Sequence, residues 1–222
     1  MIMAFLLGWF VKLTSWLPQL FVFKIKVHYE DKSVQSKRVR GKAIIASNHR
    51  SIWDFAIMMF VFFGRTLRCV VAEVIFARNF ILKLFLMGLG AIRVDRGSHD
   101  FSFISKCKRV LDRGGVVEIY PESRLPRAGE QTPLEFKPST VYLALESGAP
   151  IIPVYHNGKH FSKERTRVII GKPIYARELY DQALSEKENI QSITNYLRGR
   201  IIELGKELER QEKEEGRPDQ RS

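Results

Sequence analysis

The sequence is poor in cysteine. Cys69 and Cys107 are its two thiols, and they form no zinc-binding spacing. Two scattered cysteines are typical of a reducing compartment, where disulfides are rare. Histidine is scarce as well, with five in the chain, and their spacing indicates no set of metal ligands. We therefore predict no metal site, no bound cofactor and exposure to the cytosol.

Acidic residues are in the minority. Lys and Arg number 36 against 24 Asp and Glu, so the net charge is +12 and the pI is near 9.8. A charge of this size implies a partner rich in negative charge, such as nucleic acid, an anionic membrane or a phosphorylated substrate. The basic residues are spread along the chain without a recognisable nucleic-acid-binding module. We therefore expect no nucleic-acid partner and favour an anionic membrane surface.

A long, uninterrupted apolar run is missing too. Residues 1–23 are mostly apolar, but Lys12 lies near their middle, whereas a spanning helix needs about 20 apolar residues without a central charge. We predict two short apolar helices in one leaflet, with Lys12 reaching the headgroups. Trp9 and Trp16 would lie at the interface and Lys24 against anionic lipid. A tilted spanning helix and a helix packed on the protein's own core are the alternatives.

Apolar runs alternate with turn residues along the rest of the chain. Short β-rich runs predict strands at 42–47, 67–72, 91–96, 116–120, 150–156 and 167–171. Runs of apolar residues with helical spacing or length predict helices at 52–63, 77–87, 99–113 and 140–147, and weak alternation predicts a hairpin or extended lead-in at 23–29 and 33–39. This order is typical of an α/β fold with a largely parallel central sheet flanked by helices.

Composition divides the chain into four parts. They are a membrane-anchoring helical segment at 1–26, a single α/β domain at 27–184, an amphipathic helix at 185–208 and a charged, disordered tail at 209–222. Ser185 and Glu188 form a capping box at the start of the amphipathic helix. Its apolar stripe ends at Leu208, and nothing apolar follows. The loop at 121–138 is long and rich in Pro, Gly and charge, which is typical of loops at functional sites.

A histidine and a carboxylate meet at the junction of the first buried strand and the helix that follows it. His49 and Asp54 are five positions apart, which would place them about 140° apart on one continuous helix. With His49 in the turn and Asp54 in the first helical turn, the carboxylate can fold back onto one imidazole nitrogen. The other nitrogen then faces the crevice, as in half of a general-base arrangement. Ser51 and Asp54 also match a helix-capping pattern, so a purely structural role is the alternative.

Four blocks of the chain occur in the order of a known family. They are residues 48–54 (NHRSIWD), 90–96 (GAIRVDR), 120–124 (YPESR) with a Phe-Lys at 136–137, and 149–154 (APIIPV). Together they resemble the lysophospholipid (glycerolipid) acyltransferase family, whose type member is bacterial 1-acylglycerol-3-phosphate acyltransferase. His49 and Asp54 match the family's His-x-x-x-x-Asp motif. Four blocks in family order are a far stronger signal than one.

The resemblance implies a membrane-associated enzyme that moves a fatty acyl group from acyl-CoA or acyl carrier protein to the free hydroxyl of a lysophospholipid. With 1-acylglycerol 3-phosphate the product is phosphatidic acid, and the expected location is the cytoplasmic face of the bacterial inner membrane. His49, oriented by Asp54, would take the hydroxyl proton without an acyl-enzyme. We expect backbone amides at the start of the following helix to stabilise the oxyanion. The residues expected to bind the acceptor phosphate and glycerol are Arg96, Glu122, Arg124 and Lys137.

Two departures from the family pattern bear on the acceptor. The third block is one residue short, with Glu-Ser-Arg in place of Glu-Gly-Thr-Arg, and Ser139 stands where many members have Gly. A different lysolipid or a non-glycerolipid acceptor is therefore an alternative. A surface ion pair is the alternative role for Arg96 and Arg124. A non-catalytic lipid-binding protein is a third hypothesis.

Overall fold

A sheet of seven strands organises the residues described by this computed structural model, which are 2–33, 38–95 and 102–215. The strands are β1 Lys26–Tyr29, β2 Ala43–Ser47, β3 Leu67–Ala72, β4 Ile92–Val94, β5 Val116–Ile119, β6 Ile151–His156 and β7 Arg167–Ile170. They lie in the order β1-β7-β6-β2-β5-β3-β4. Neighbouring strands are parallel except β6 and β7, so the predicted α/β fold with a largely parallel sheet is confirmed.

Helices cover both faces of this sheet. Within the described residues they are α1 Ile2–Val22, α2 Asp54–Val61, α3 Glu73–Arg78, α4 Phe80–Gly88, α5 Ser102–Asp112, α6 Ser139–Ser147 and α7 Glu186–Glu215, with a 3₁₀ turn at Ala176–Leu179. Helices α5, α6 and α7 pack on one face, while α2 packs on the other and contacts α1. Each face of the sheet therefore carries an apolar core.

Strand β2 lies at the centre of both cores. All five of its residues are buried, which explains why its sequence is a continuous apolar run rather than an alternating one. Ile44 and Ala46 contribute to the core under α5 and α6, and Ala43 and Ile45 to the core under α2. Because β2 lies between β6 and β5, the loops that follow these three parallel strands leave the sheet at the same edge.

Helix α1 runs unbroken from Ile2 to Val22, so the prediction of two short helices is wrong. The hydroxyls of Thr14 and Ser15 donate to carbonyls of the preceding turn, and these polar residues therefore continue the helix instead of ending it. The Lys12 side chain is buried, and its Nζ donates to the carbonyls of Phe63 and Arg65 at 2.8 and 2.5 Å. The prediction that Lys12 reaches lipid headgroups is also wrong, and burial lowers its pKa to about 8.

Two further boundaries differ from the predictions. The predicted helix at 77–87 is split, because the Asn79 side chain accepts hydrogen bonds from the amides of Ile81 and Leu82 and caps a new helix there. Residues 23–29 form no hairpin with 33–39 as far as the chain is described, since β1 pairs in parallel with β7. Residues 34–37 lie outside the described part of the chain.

Helix α7 extends past Leu208 to Glu215, so the predicted tail is wrong for residues 209–215. Polar contacts with β1 and β7 hold this last part. Glu215 pairs with Lys26 at 2.6 Å and with Arg167 at 2.8 Å, and Gln211 hydrogen-bonds the buried His28 at 3.0 Å. The apolar stripe therefore underestimates the length of α7, because ion pairs stabilise the turns that follow Leu208. Residues 216–222 lie outside the described part.

Candidate active site

The turn after β2 carries the predicted dyad. Nδ1 of His49 lies 2.9 Å from Oδ2 of Asp54, so the predicted fold-back of the carboxylate onto one imidazole nitrogen is confirmed. Asp54 is fully buried, while the His49 side chain keeps 16% exposure. Since the carboxylate can only accept, Nδ1 carries the proton and Nε2 has a free lone pair. The pair has the geometry of a histidine general base with an orienting carboxylate.

The start of α2 holds the carboxylate in place. The backbone amides of Arg50 and Ser51 donate to the same Oδ2, at 2.7 and 2.9 Å, so Asp54 closes its own turn while it orients His49. The amide of Trp53 donates to the Ser51 hydroxyl, and that of Asp54 to the Ser51 carbonyl. The prediction that amides at the start of this helix stabilise an oxyanion is wrong for Trp53 and Asp54, because both already have acceptors.

Two histidines whose spacing in the sequence indicates no metal site, His156 and His160, lie against the same carboxylate. Nε2 of His160 is 2.7 Å from Oδ1 of Asp54, and Nε2 of His156 is 3.5 Å from it. Burial raises the pKa of Asp54, but the charge of His156 and hydrogen bonds from the surrounding imidazoles lower it below the usual carboxyl range. Asp54 is therefore ionised. The missed signal is that His156 ends β6 and His160 follows this strand, which neighbours β2.

This cluster has the residue types of a metal site. Asp54, His156 and His160 each offer one ligand atom, and these atoms lie within 4.8 Å of one another. The 2.7 Å between His160 and Asp54 is a hydrogen-bond distance. It is shorter than the ~3.3 Å between two ligand atoms on a tetrahedral zinc with bonds of about 2.0 Å. The arrangement therefore fits a shared proton better than a metal ion.

Glu122 binds backbone rather than Arg124. Its Oε1 accepts from the amide of His49 and its Oε2 from the amide of Leu134, both at 2.8 Å, and the residue is buried. It thereby ties the long loop after β5 to the turn that carries His49. Its predicted role as a substrate-binding residue remains a prediction, with both oxygens engaged by amides.

The other predicted substrate residues lie around this loop. Arg124 forms a two-pronged ion pair with Glu130, at 2.6 and 2.9 Å, and remains half-exposed. Lys137 is exposed, and its backbone amide donates to the Pro121 carbonyl. Arg96 lies outside the described part of the chain. The role of these three cations in phosphate binding remains a prediction.

The shortened third block folds into a turn at Ser123. Its φ of +61° lies in the left-handed region, which favours glycine. The family pattern usually has Gly directly after the Glu, so the turn keeps the glycine-like backbone despite the substitution. The loop therefore differs from the family pattern in length, while the backbone at Ser123 has a left-handed φ that glycine adopts readily.

A buried acid lies behind the dyad. The ring of Tyr120 stacks on His49 with centroids 4.3 Å apart, and its hydroxyl donates to Glu118 in the core. Burial raises the pKa of Glu118 to about 8, against the opposing effect of the Tyr120 hydrogen bond. Glu118 is therefore a largely neutral acid at pH 7, and Tyr120 is fixed between it and His49.

Replacing Glu118 by Gln should stabilise the protein at high pH. The folded state favours protonated Glu118, so its contribution to stability is full below the unfolded pKa and is lost as pH rises towards about 8. Gln keeps an acceptor for Tyr120 without ionising. We expect Glu118→Gln to raise the free energy of unfolding by roughly 4 kcal/mol at pH 8 and by almost nothing at pH 4.

Urea unfolding of Glu118→Gln and wild type at several pH values measures this difference. The exposed Glu146 on α6 offers the matched control, because Glu146→Gln should give a small difference that changes little with pH. A difference that grows towards low pH would contradict a raised pKa for Glu118.

A wide cleft of the described chain lies away from the dyad. Its volume is about 1000 Å³, and its walls come from the amino ends of β3 and β5 and include Arg68, Lys83 and Arg109. His49 follows the carboxyl end of β2, at the opposite edge of the parallel sheet. General-base catalysis requires a base with a free lone pair, so the turn that carries His49, and not this cleft, is the candidate active site.

Comparison with known proteins connects this site to one family. A sequence profile of the family described as Acyltransferase matches residues 24–157. The human (Homo sapiens) 1-acyl-sn-glycerol-3-phosphate acyltransferase beta is 27% identical over 153 residues, which are 68% of this chain and 52% of that protein. The chain thus spans about half the length of this relative.

A solved structure shares the fold. The crystal structure of the 1-acyl-sn-glycerophosphate (LPA) acyltransferase PlsC from Thermotoga maritima superimposes with a TM-score of 0.57 at 17% identity. The match covers 89% of this chain and 76% of that one. At this identity the likeness shows the fold alone, and the dyad geometry carries the chemistry.

Proposed function

Because the chain belongs to the acyltransferase family, we propose that it transfers a fatty acyl group from acyl-CoA or acyl carrier protein to the free hydroxyl of a lysophospholipid. The proposed acceptor is 1-acylglycerol 3-phosphate, and the product is phosphatidic acid. The observation that carries the proposal is the 2.9 Å hydrogen bond between His49 and Asp54, which leaves Nε2 of His49 as the available base.

The proposed reaction is direct transfer. Nε2 of His49 takes the proton of the acceptor hydroxyl as its oxygen attacks the thioester carbonyl. The tetrahedral intermediate then expels the thiolate, which receives the proton from His49. No acyl-enzyme is needed, and burial raises the pKa of Cys107 to about 12 and that of Cys69 well above its usual value, so neither thiol is a ready nucleophile.

The basic residues of the second and third blocks are the proposed phosphate contacts. Arg124 is already held in a defined orientation by Glu130, and an acceptor phosphate would replace this carboxylate as the partner of the guanidinium. Lys137 on the same loop and Arg96 would add further positive charge. Arginine suits this role because its planar guanidinium binds phosphate oxygens in pairs.

An acceptor panel tests the proposed substrate. Protein in detergent micelles is supplied with either thioester donor and with 1-acylglycerol 3-phosphate, neutral lysolipids or a simple long-chain alcohol. We expect the phosphorylated acceptor to be preferred, and we expect Arg124→Ala to lower that preference while activity on the alcohol changes little. Equal rates on phosphorylated and neutral acceptors would defeat the phosphate role and favour the alternative acceptors.

We further propose that the protein works on a membrane, at its cytoplasmic face. One side of α1 and the adjoining α4 exposes large apolar side chains, here called the apolar face: Leu6, Phe10, Leu13, Trp16, Leu17, Leu20, Phe21, Phe80, Ile81, Leu84 and Met87. Exposed apolar patches of this extent usually mark an interaction surface. Within the described residues, no helix combines the length and the apolarity that crossing a bilayer requires. A helix lying in the interface of an anionic membrane fits the exposed apolar face and the charge of +12.

Apolar side chains continue from the end of α1 to the rim of the active site through the buried Phe23. Phe23, directly after α1, lies 5.3 Å from Phe161 between ring centroids, and Phe161 in turn lies 5.5 Å from Trp53 beside the dyad. Phe161 and Trp53 are both about half exposed. A lysolipid in the membrane surface would therefore meet apolar side chains from its tail up to the hydroxyl that reacts.

Charges placed on the apolar face should release the protein from membranes. Leu13 and Leu17 are 65% and 58% exposed, so replacing both by Glu removes buried apolar area in the bound state without opening the core. We expect binding to vesicles of phosphatidylglycerol and phosphatidylcholine to weaken about tenfold or more. Vesicle flotation measures the bound fraction.

The matched control changes two exposed leucines elsewhere. Leu179 and Leu184 are each 40% exposed and lie in and after the 3₁₀ turn, so their double change to Glu adds the same charge. Equal release by both double variants would show that net charge, and not the apolar face, governs binding.

A further inference from the structure

The second oxygen of Asp54 has a binding partner that the dyad does not explain. Oδ2 accepts from His49 and from two amides, whereas Oδ1 faces the His160 imidazole at 2.7 Å. Both side chains are buried, with 0% and 2% exposure. An ionised oxygen in such a place needs a hydrogen-bond donor of its own, because bulk solvent does not reach it.

The His160 imidazole is fixed at its other end. Its Nδ1 lies 3.3 Å from the hydroxyl of Thr166, which is itself buried. Its ring meets that of Phe23 edge to face, with centroids 6.5 Å apart. The loop that carries it turns at Gly158, whose φ of +71° is left-handed and where a Cβ would lie 2.4 Å from the Arg50 side chain. The chain from Gly158 to Thr166 therefore holds one imidazole nitrogen against Asp54.

The neighbouring His156 has a different task. Its Nε2 is 3.0 Å from the Asn48 carbonyl but 3.5 Å from Asp54, so its hydrogen bond goes to the carbonyl. The Asn48 side chain also binds both the amide and the carbonyl of His156, at 2.9 and 3.0 Å. His156 thus joins the ends of β2 and β6, and His160 is the donor that Oδ1 depends on.

We propose that His160 is a positioning residue that fixes the Asp54 carboxylate from the side opposite His49 and so keeps His49 in the Nδ1-protonated form that acts as base. The catalytic unit is then an imidazole–carboxylate–imidazole chain, in which only His49 meets substrate. The expected changes in kcat rest on the proposed acyl transfer. The expected change in the His49 tautomer rests on the geometry alone.

Two amide substitutions at His160 differ by one methylene, and they test whether a donor must reach the position of Nε2 or whether any polar side chain is enough. In His160→Gln the side-chain amide extends to where Nε2 now lies, and in His160→Asn it stops one carbon short. We expect His160→Asn to lower kcat about 10- to 100-fold with KM changed less than about threefold, and His160→Gln to stay within about threefold of wild type. Equal losses in the two variants, or a loss confined to KM, would overturn the proposal.

The control is the same change at another buried histidine. His28 lies in β1 and hydrogen-bonds Gln211, so His28→Asn removes a buried imidazole without touching Asp54. We expect its kcat to stay within about threefold of wild type. A loss equal to that of His160→Asn would overturn the proposal, since any lost buried imidazole would then suffice.

The tautomer of His49 can be measured without any enzymatic reaction, so this test of the His160 role does not depend on the proposed function. Nitrogen NMR of histidine-labelled protein reports which imidazole nitrogen of His49 carries the proton. We expect Nδ1 in wild type and His160→Gln, and a mixture of both tautomers in His160→Asn. An unchanged Nδ1 form in His160→Asn would contradict the positioning role even if the enzyme acted on another substrate. Wild-type activity that is lost in EDTA and restored by Zn²⁺ would also contradict it, because Asp54 and His160 would then be metal ligands.

Discussion

His49→Ala should lower the rate of acyl transfer by about 10²- to 10⁴-fold, the range that a positioned general base contributes. His49 is the dyad residue with exposure, 16% of its side chain, and with a free ring nitrogen. Asp54 cannot replace it, since the carboxylate is buried and already accepts from several donors. The loss should therefore appear in kcat for every donor and acceptor pair.

The measurement is the initial rate of thiol release in the presence of acceptor. Removal of the His49 ring leaves the hydrogen bond from its backbone amide to Glu122 intact, so the fold should survive. Circular dichroism and thermal unfolding verify it. His28→Ala is the matched control at a remote buried histidine. A folded His49→Ala protein with more than about a tenth of wild-type activity would rule out the general-base role.

Asp54→Asn should lower kcat by about 10²- to 10³-fold, through loss of orientation rather than loss of a reacting group. An amide offers one acceptor oxygen where the carboxylate offers two. If its oxygen stays with the amides of Arg50 and Ser51, its NH₂ faces the N–H of His160. If it is reversed, the NH₂ faces those amides and the protonated nitrogen of His49. In either arrangement two donors confront each other, and a histidine must change its tautomer.

The same substitution should also cost stability, with a defined pH dependence. The pKa of Asp54 is lowered in the folded protein by its imidazole neighbours, despite burial, which raises it. Such a carboxylate stabilises the fold above its unfolded pKa, and this contribution is lost as pH falls towards the folded value. We expect the stability difference between wild type and Asp54→Asn to be largest at neutral pH and to shrink in acid.

Urea unfolding at pH 7 and at pH 3, together with kcat at pH 7, tests both effects. Asp112→Asn is the control, because Asp112 is an exposed carboxylate that pairs with Lys108 on α5. A stability difference that widens below pH 4 would contradict a lowered pKa for Asp54. Unchanged kcat in a folded Asp54→Asn protein would show that His49 needs no orienting carboxylate.

Local features of the site were predictable from the sequence, and long-range ones were not. His49 and Asp54 are five positions apart, so the geometry of one strand-to-helix turn decides whether they meet. His160 reaches the same carboxylate across 106 positions, through a loop whose path no periodicity specifies. The sequence does not reveal that β2 and β6 are adjacent in the sheet, and this adjacency places the loop after β6 beside the turn after β2.

The helix errors have a similar origin. The polar residues of α1 predict a break, but the Thr14 hydroxyl donates to a carbonyl of its own helix and Lys12 donates to the carbonyls after α2. The apolar stripe of α7 predicts an end at Leu208, but the helix continues to Glu215, which forms ion pairs with β1 and β7. Hydrophobic patterns locate the elements that fill a core and miss those that polar contacts extend.

Thiol release measured with and without 1-acylglycerol 3-phosphate, in the same vesicles, tests direct transfer most simply. Wild type should release thiol only when acceptor is present, in equal amount to the phosphatidic acid formed, and His49→Ala should do neither. A burst of thiol in the absence of acceptor would indicate an acyl-enzyme, and steady release of free fatty acid would indicate hydrolysis. Either result would contradict a mechanism in which His49 activates the acceptor hydroxyl.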